Sequence, residues 1–185
     1  MNFNKHFELK DKHAYLGASK YHWLNYSDDK LVESYKNFLS IERGTELHEF
    51  ARRAIELGIK LPKNKKTLNM YVNDAIGFRM TPEQPLYYSD NCFGTADAIA
   101  FSKKTLRVHD LKTGVNPASM NQLKIYDALF CLEYDVNPKD ILIINRIYQL
   151  NDCFEEQEDP EEIESIEHKI IHSDKLIQAV KMGEE

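Results

Sequence analysis

The chain has 185 residues, of which 42% are hydrophobic, and a formal net charge of −6. Length and composition exclude a disordered chain and give one globular domain, or one domain with an appendage, able to bury a core. The negative charge excludes a protein that coats nucleic acid by bulk attraction, but not an enzyme that touches it through local patches.

The longest purely aliphatic run, Ile141-Leu142-Ile143-Ile144, is far too short to span a bilayer. The segment Met1 to His6 has no apolar stretch of the secretory kind. Cys92, Cys131 and Cys153 are widely spaced and odd in number, which suits free thiols in a reducing compartment. A cytoplasmic protein without membrane association is the expectation.

In chain order, Ser19 to Asn25 reads as a short helix or turn that packs Tyr21, Trp23 and Leu24. Ser27 is placed to cap a helix from Asp28 to about Ile41. Gly44 then interrupts, and Thr45 restarts a helix through Leu57 that Gly58 closes. Leu47, Phe50, Ala51, Ala54 and Ile55 form its apolar stripe, with His48 at the edge. A basic loop from Pro62 to Lys66 precedes a helix from about Thr67 to Phe78 and a strand near Glu83 to Tyr88. Strands over Phe93–Phe101 and Thr105–Thr113 flank a Ser102-Lys103-Lys104 turn. A helix from Ala118 to about Tyr134, a strand from Asp140 to Tyr148 and a helix from about Glu161 to Lys181 complete the order. The acidic run between Glu155 and Glu164 reads as a solvated loop and helix start. The order implies an α/β fold with a central mixed sheet.

Four D/E-x-K triplets occur, at Glu8/Lys10, Asp28/Lys30, Asp110/Lys112 and Glu167/Lys169. Only Asp110-Leu111-Lys112 falls in a strand beside a second acid-bearing strand. Strand alternation puts Leu106, Val108, Asp110 and Lys112 on one face, and Thr95, Asp97 and Ile99 on one face of the preceding strand. Pairing across the turn brings Asp97 towards Asp110. Two such carboxylates repel unless a cation neutralises them, and a hard divalent ion with oxygen ligands suits them. Lys112 is positioned to activate a water and steady a developing phosphorane. The Leu111 carbonyl is a further candidate ligand, because its side chain points away. Gln122 and Tyr126, four apart on one helix face, reach the same pocket. Taken singly, each of these residues reads as structural; the joint order and spacing select a metal-dependent nuclease site.

Gly44-Thr45-Glu46-Leu47-His48, Gly94-Thr95-Ala96-Asp97, Asp110-Leu111-Lys112-Thr113-Gly114 and Gln122-(x3)-Tyr126 resemble, in that order, the motifs of RecB-type nucleases of the PD-(D/E)XK superfamily. The match covers about Ile41 to Ile147, and Gly17-Ala18-Ser19-Lys20 is similar to the start of many members. The resemblance implies a restriction-endonuclease-like core. It also implies DNA cleavage dependent on Mg²⁺ or Mn²⁺, often exonucleolytic, of the kind used in recombination, repair or end processing. By the same resemblance His48, Asp97, Asp110 and the Leu111 carbonyl are metal ligands and Lys112 is the catalytic lysine. Gln122 and Tyr126 position DNA and the active site, and Glu83 is a further acid near the metal.

Relatives with an iron–sulfur cluster need four cysteines, so with three no such cluster is expected. No G-x-x-x-x-G-K-[ST] phosphate loop occurs, so a helicase, recombinase or single-strand-binding partner would be a separate chain. The compact length resembles stand-alone nucleases, those of bacteriophages included. Oligomeric state stays open, since some such exonucleases form rings. Arg52 with Arg53, the Lys60 to Lys66 stretch, and Lys103 and Lys104 with Arg107 are the candidate DNA contacts, Arg52 foremost; Tyr126 is another. Tyr87, Tyr88 or Trp23 could stack on a frayed base. Two rival readings are a catalytically silent DNA-binding or adaptor module on the same fold, and a structural component of a larger complex.

Overall fold

A computed structural model describes residues 14–183, and the chain divides into two compact units, Met1–Arg43 and Gly44–Glu185. In the first, a 3₁₀ stretch spans Ala18–Asn25. The Trp23 indole donates to the Gly17 carbonyl at 3.2 Å, but Tyr21 and Leu24 are 59% and 67% exposed, so they do not pack as the sequence suggested. A 3₁₀ turn of this length has no continuous apolar face that could bury both. The Tyr15 ring meets Tyr35 and Phe38 at centroid separations of 4.9 and 5.3 Å.

Helix α1 runs Asp28–Glu56. Ser27 Oγ accepts from Lys30 N at 3.3 Å, and Asp28 and Asp29 face the positive helix start. The helix continues through Gly44, contrary to the expected break. Gly44 is buried, and a Cβ built there would meet Thr113 Oγ1 at 2.9 Å. Glycine serves here for close approach, not for turning. Gly58, with φ of 66°, does end the helix as expected, with Ile59 N bonded to Ala54 O at 2.9 Å.

In the second unit α2 (Thr67–Gly77) precedes five strands and two helices: β1 Thr81–Ser89, β2 Cys92–Ser102, β3 Thr105–Leu111, α3 Asn121–Tyr134, β4 Leu142–Gln149, β5 Asp152–Gln157 and α4 Pro160–Met182. The five-stranded sheet has the order β1-β2-β3-β4-β5; β3 and β4 are parallel and the other pairs antiparallel. The protein is therefore α/β, with a mixed sheet flanked by helices. One core, with Leu106, Val108, Ile143 and Ile147 from the sheet, packs against Leu123, Leu129, Ile163 and Ile170 of α3 and α4. On the other face Ala98, Leu111 and Tyr148 pack against Ala51, Ala54 and Ile55 of α1 and Tyr71, Val72 and Ala75 of α2. Phe50, assigned to that stripe from sequence, is 49% exposed. The buried face of α1 is a narrow band of Ala51, Ala54 and Ile55, and Phe50 falls about 100° round the helix from Ala51.

Two hairpin turns use paired residues of positive φ, Lys103 (51°) with Lys104 (60°) and Leu150 (52°) with Asn151 (62°), the requirement of a type I′ connection. The second turn makes β5, so the first two acids of the run read as a solvated loop and helix start, Glu155 and Glu156, lie in an edge strand, while Glu161, Glu162 and Glu164 open α4 as expected. Asn151 also reaches the start of α2: Thr67 N donates to Asn151 Oδ1 at 3.2 Å, and Asn151 N to Thr67 Oγ1 at 2.7 Å.

Beneath α3 lies a buried polar group. Asn145 Nδ2 donates to Asp127 Oδ2 at 2.6 Å and to Glu158 Oε1 at 2.8 Å. Lys124 Nζ lies 3.2 Å from Glu158 Oε2 and 2.9 Å from Glu162 Oε2. Burial pushes the Asp127 carboxyl well above its ordinary value and raises that of Glu158. Among the described residues no helix is long and apolar enough to cross a membrane.

Candidate metal and catalytic site

The site is built where β1, β2 and β3 meet α1 and α3. Strands β2 and β3 stay in register from Ser102↔Thr105 to Ala98↔His109. Beyond that rung the Asp97 carboxylate takes over from the backbone: Leu111 N donates to Asp97 Oδ2 at 2.9 Å. Asp97 is also met by His48 of α1, whose Nδ1 stands 3.5 Å from the same oxygen. Burial pushes the Asp97 carboxyl above its ordinary value, and Glu83 adds to the shift against the pull of His48, the Leu111 amide and Lys112. Asp110 rises for the same first reason, with the Asp97 charge next.

A second chain of contacts runs outward from β3. Lys112 Nζ lies 3.1 Å from Asp110 Oδ1 and 3.0 Å from Oδ2. The same nitrogen donates to Gln122 Oε1 at 2.8 Å, and Gln122 Nε2 donates to Tyr126 Oη at 2.9 Å. The two α3 residues stand one helical turn apart, as their spacing requires. The Asp110 side chain is only 2% exposed whereas that of Lys112 is 31% exposed, so the pair joins the interior to the surface. Gly94 makes room for the outer end: a Cβ there would sit 2.9 Å from Tyr126 Cε1.

The structure thus brings Asp97, Asp110, Lys112, Gln122, Tyr126 and His48 into one neighbourhood, and Leu111 joins them through its backbone while its side chain is buried. It adds Glu83, whose carboxylate, with one oxygen of Asp97 and one ring nitrogen of His48, falls within a set of mutual separations of 4.8 Å. These are oxygen and imidazole donors, which suit Mg²⁺ or Mn²⁺; the Asp97 and Asp110 carboxyls are raised first by burial and then by neighbouring acids, and a bound cation would favour their charged forms. Sequence treated Glu83 as peripheral; its one signal was an acid between Pro82 and Pro85 on a short strand. One expectation fails. Ile99 turns into the α3/α4-side core and Ala98 into the α1/α2-side core. Asp97, turned to His48 of α1, does not share a face with Ile99. An irregularity at the Asp97 rung breaks the alternation on which that reading relied.

The candidate DNA contacts are dispersed. The Arg52 guanidinium is held by Glu49 (2.7 and 2.9 Å) and Glu56 (2.7 Å), and Arg53 also binds Glu49 at 2.6 Å. Hydrogen bonds from Arg52, then Arg53, hold the Glu49 carboxyl down to about 2. Lys103 and Lys104 occupy the β2–β3 turn, about 20 Å along the strands from Asp97 and Asp110. Trp23 lies in the 3₁₀ stretch of the other unit, and Tyr87 stacks on Phe93 at a centroid separation of 6.5 Å. The chain matches no family model, no curated protein and no solved structure.

Proposed function

We propose that the chain is a metal-dependent DNA nuclease with a restriction-endonuclease-like core, acting as an exonuclease in recombination, repair or end processing. The observation that carries this reading is the Asp110–Lys112–Gln122–Tyr126 relay beside the His48–Asp97 pair. It comprises an ammonium fixed between a buried carboxylate and an amide, next to a partly open cluster of hard donors.

By the family resemblance His48, Asp97, Asp110 and the Leu111 carbonyl would hold Mg²⁺ or Mn²⁺. Such an ion polarises a phosphodiester and lowers the pKa of a bound water. The chain's own groups do the rest. Lys112 places a positive charge with spare N–H donors where the attacked phosphate becomes more negative. Gln122 limits the swing of Lys112, and Tyr126 limits that of Gln122. Such fixing matters because a catalytic group displaced by about 1 Å costs on the order of 100-fold in rate.

One observation weighs against Arg52 as a phosphate contact, whether the chain cleaves DNA or only binds it as a silent module: its guanidinium is already paired with two glutamates. The test is cleavage of end-labelled linear and closed circular DNA, single- and double-stranded, with Mg²⁺, Mn²⁺ or EDTA. Metal-dependent loss of linear DNA that disappears in Asp110→Ala and Lys112→Ala is expected. No cleavage in any lane, with DNA retention in EDTA, would establish the binding module instead.

A further inference from the structure

We propose that Tyr87 and Phe93 form a stacking step for unpaired bases of a DNA strand entering the site, so that the chain acts on single-stranded or frayed ends. This deepens the nuclease reading above and rests on it.

The step is built by strand pairing. Tyr87 of β1 and Phe93 of β2 are direct partners across the hairpin, so their rings leave the sheet on one face. The ring planes are 24° apart and the centroids 6.5 Å apart. The two residues are 50% and 67% exposed. The Tyr87 hydroxyl donates to Asp90 Oδ1 at 2.9 Å, which holds the ring in its presented orientation. Hairpin stability accounts for the contact between the rings. It does not account for two aromatic faces left in water, an arrangement that disfavours the unliganded state.

Neighbouring positions show where the rings point. Leu86 and Ala96 are buried in the α3/α4-side core, and Tyr88 packs against that core. Alternation therefore turns Tyr87 and Phe93, with the exposed Pro85 and Thr95, to the opposite face. Helices α1 and α2 cover that face further along the sheet, over Ala98, Leu111 and Tyr148. The open strip runs along β2 to Asp97, which is turned to His48. Phe93 precedes Asp97 by four residues, about 13 Å of strand. Bases stacked about 3.4 Å apart span that distance in about four nucleotides. One strand can thus meet the rings and the candidate catalytic groups together.

The other aromatic residues that the sequence offered for stacking are placed differently. Tyr88 faces the core, and Trp23 lies in the other unit with its indole bonded to the Gly17 carbonyl. Phe93, which the sequence did not single out, takes their place beside Tyr87.

Charge sets the pose. The charged groups bonded to Tyr87 are both acids: Asp90 at the hydroxyl, and Glu133, which accepts from the Tyr87 amide at 2.8 Å. Acids repel phosphates, so the part of a strand that suits the rings is its neutral bases. Inside a duplex each base face is covered by the next pair, and only unpaired bases are free to stack on a side chain.

The test is fluorescence anisotropy of a labelled oligothymidine strand and of a blunt duplex, bound by the full chain in Ca²⁺, with cleavage of both in Mn²⁺. Tyr87→Ala and Phe93→Ala should each weaken single-strand binding by about tenfold and change duplex binding less than about twofold. Phe93→Leu keeps the apolar bulk and removes the ring, and should lose as much as Phe93→Ala; Phe93→Trp should bind as wild type. In cleavage, KM for the single strand should rise by the same factor with kcat nearly constant. Single-strand affinity that survives Phe93→Leu or both alanine variants overturns the stacking step, and cleavage by wild type then keeps the nuclease reading standing. An equal loss on both substrates in Phe93→Leu overturns the step as well. Single-strand binding that the ring variants weaken, with no cleavage by wild type, upholds the stacking and overturns the nuclease reading. A wild type that neither binds nor cleaves overturns both.

Discussion

Carboxylates gather at two places in the second unit, and they are handled in opposite ways. Around Asn145 the acids are closed in. Asp127 and Glu158 share one amide, Lys124 bridges Glu158 to Glu156 and Glu162, and Asp127, Asn145 and Glu158 are 0%, 0% and 3% exposed. Around Asp97 they are left open, with a histidine and a lysine each about a third exposed and with one strand residue held at positive φ. Burial raises carboxyl pKa values in both places. What separates the two clusters is access. The first is sealed from solvent even though Asp127 Oδ1 and Asn145 Oδ1 are buried without a hydrogen-bond partner, and the second keeps donors facing outward.

The sharpest way to break this contrast is at Lys112. Lys112→Ala should lower cleavage by at least about 100-fold with little change in melting, since the lysine meets solvent. A comparable fall in stability would make it a structural ion pair like Lys124. Asn145→Ala should do the reverse, costing about 3 kcal/mol in denaturant unfolding by leaving two buried acids without their shared donor. Metal affinity should be unchanged. Gly94→Ala lies between: its Cβ forces the Tyr126 ring aside, and cleavage should drop by about tenfold at a cost near 1 kcal/mol. The crowding is read from a 2.9 Å contact.

The smallest effect is on pH. Asp127 has a raised folded pKa, so its proton-linked stability is present at low pH and is lost as pH climbs from about 4 through the raised value. Asp127→Asn removes that loss, and its amide can donate to Asn145 Oδ1, which is buried without a partner. The variant should gain on wild type steadily above pH of about 4 and be more stable by about 1 kcal/mol at pH 8. A constant difference across pH would show that Asp127 is already ionised in the folded protein.

Much of this is legible in the sequence. β2, β3 and their Lys103-Lys104 turn are marked by apolar alternation, and Gln122 and Tyr126 by helical spacing. Ser27 is marked as a cap by its place before two aspartates. The remainder depended on contacts distant in sequence. Nothing near Gly44 announces that Thr113 will press against it, so a glycine that permits contact looked like one that ends a helix. The Leu150-Asn151 turn has the backbone of a glycine turn without the glycine, which concealed β5 and made a solvated run of acids that includes the buried Glu158. Glu83 was visible as an acid but not as a neighbour of His48 and Asp97, because their approach joins residues of three elements far apart in sequence.

The bond pair between Thr67 and Asn151 bears on the order in which the chain assembles. Lys66, at the cap position of α2, supplies no side-chain bond, and the start of the helix is closed by a turn 84 residues away. Closing so long a loop costs entropy that local contacts cannot return, so α2 gains its full start only once β4 and β5 have paired. Amide hydrogens in the first turn of α2 should exchange in step with the β4–β5 hairpin and not with the rest of their own helix.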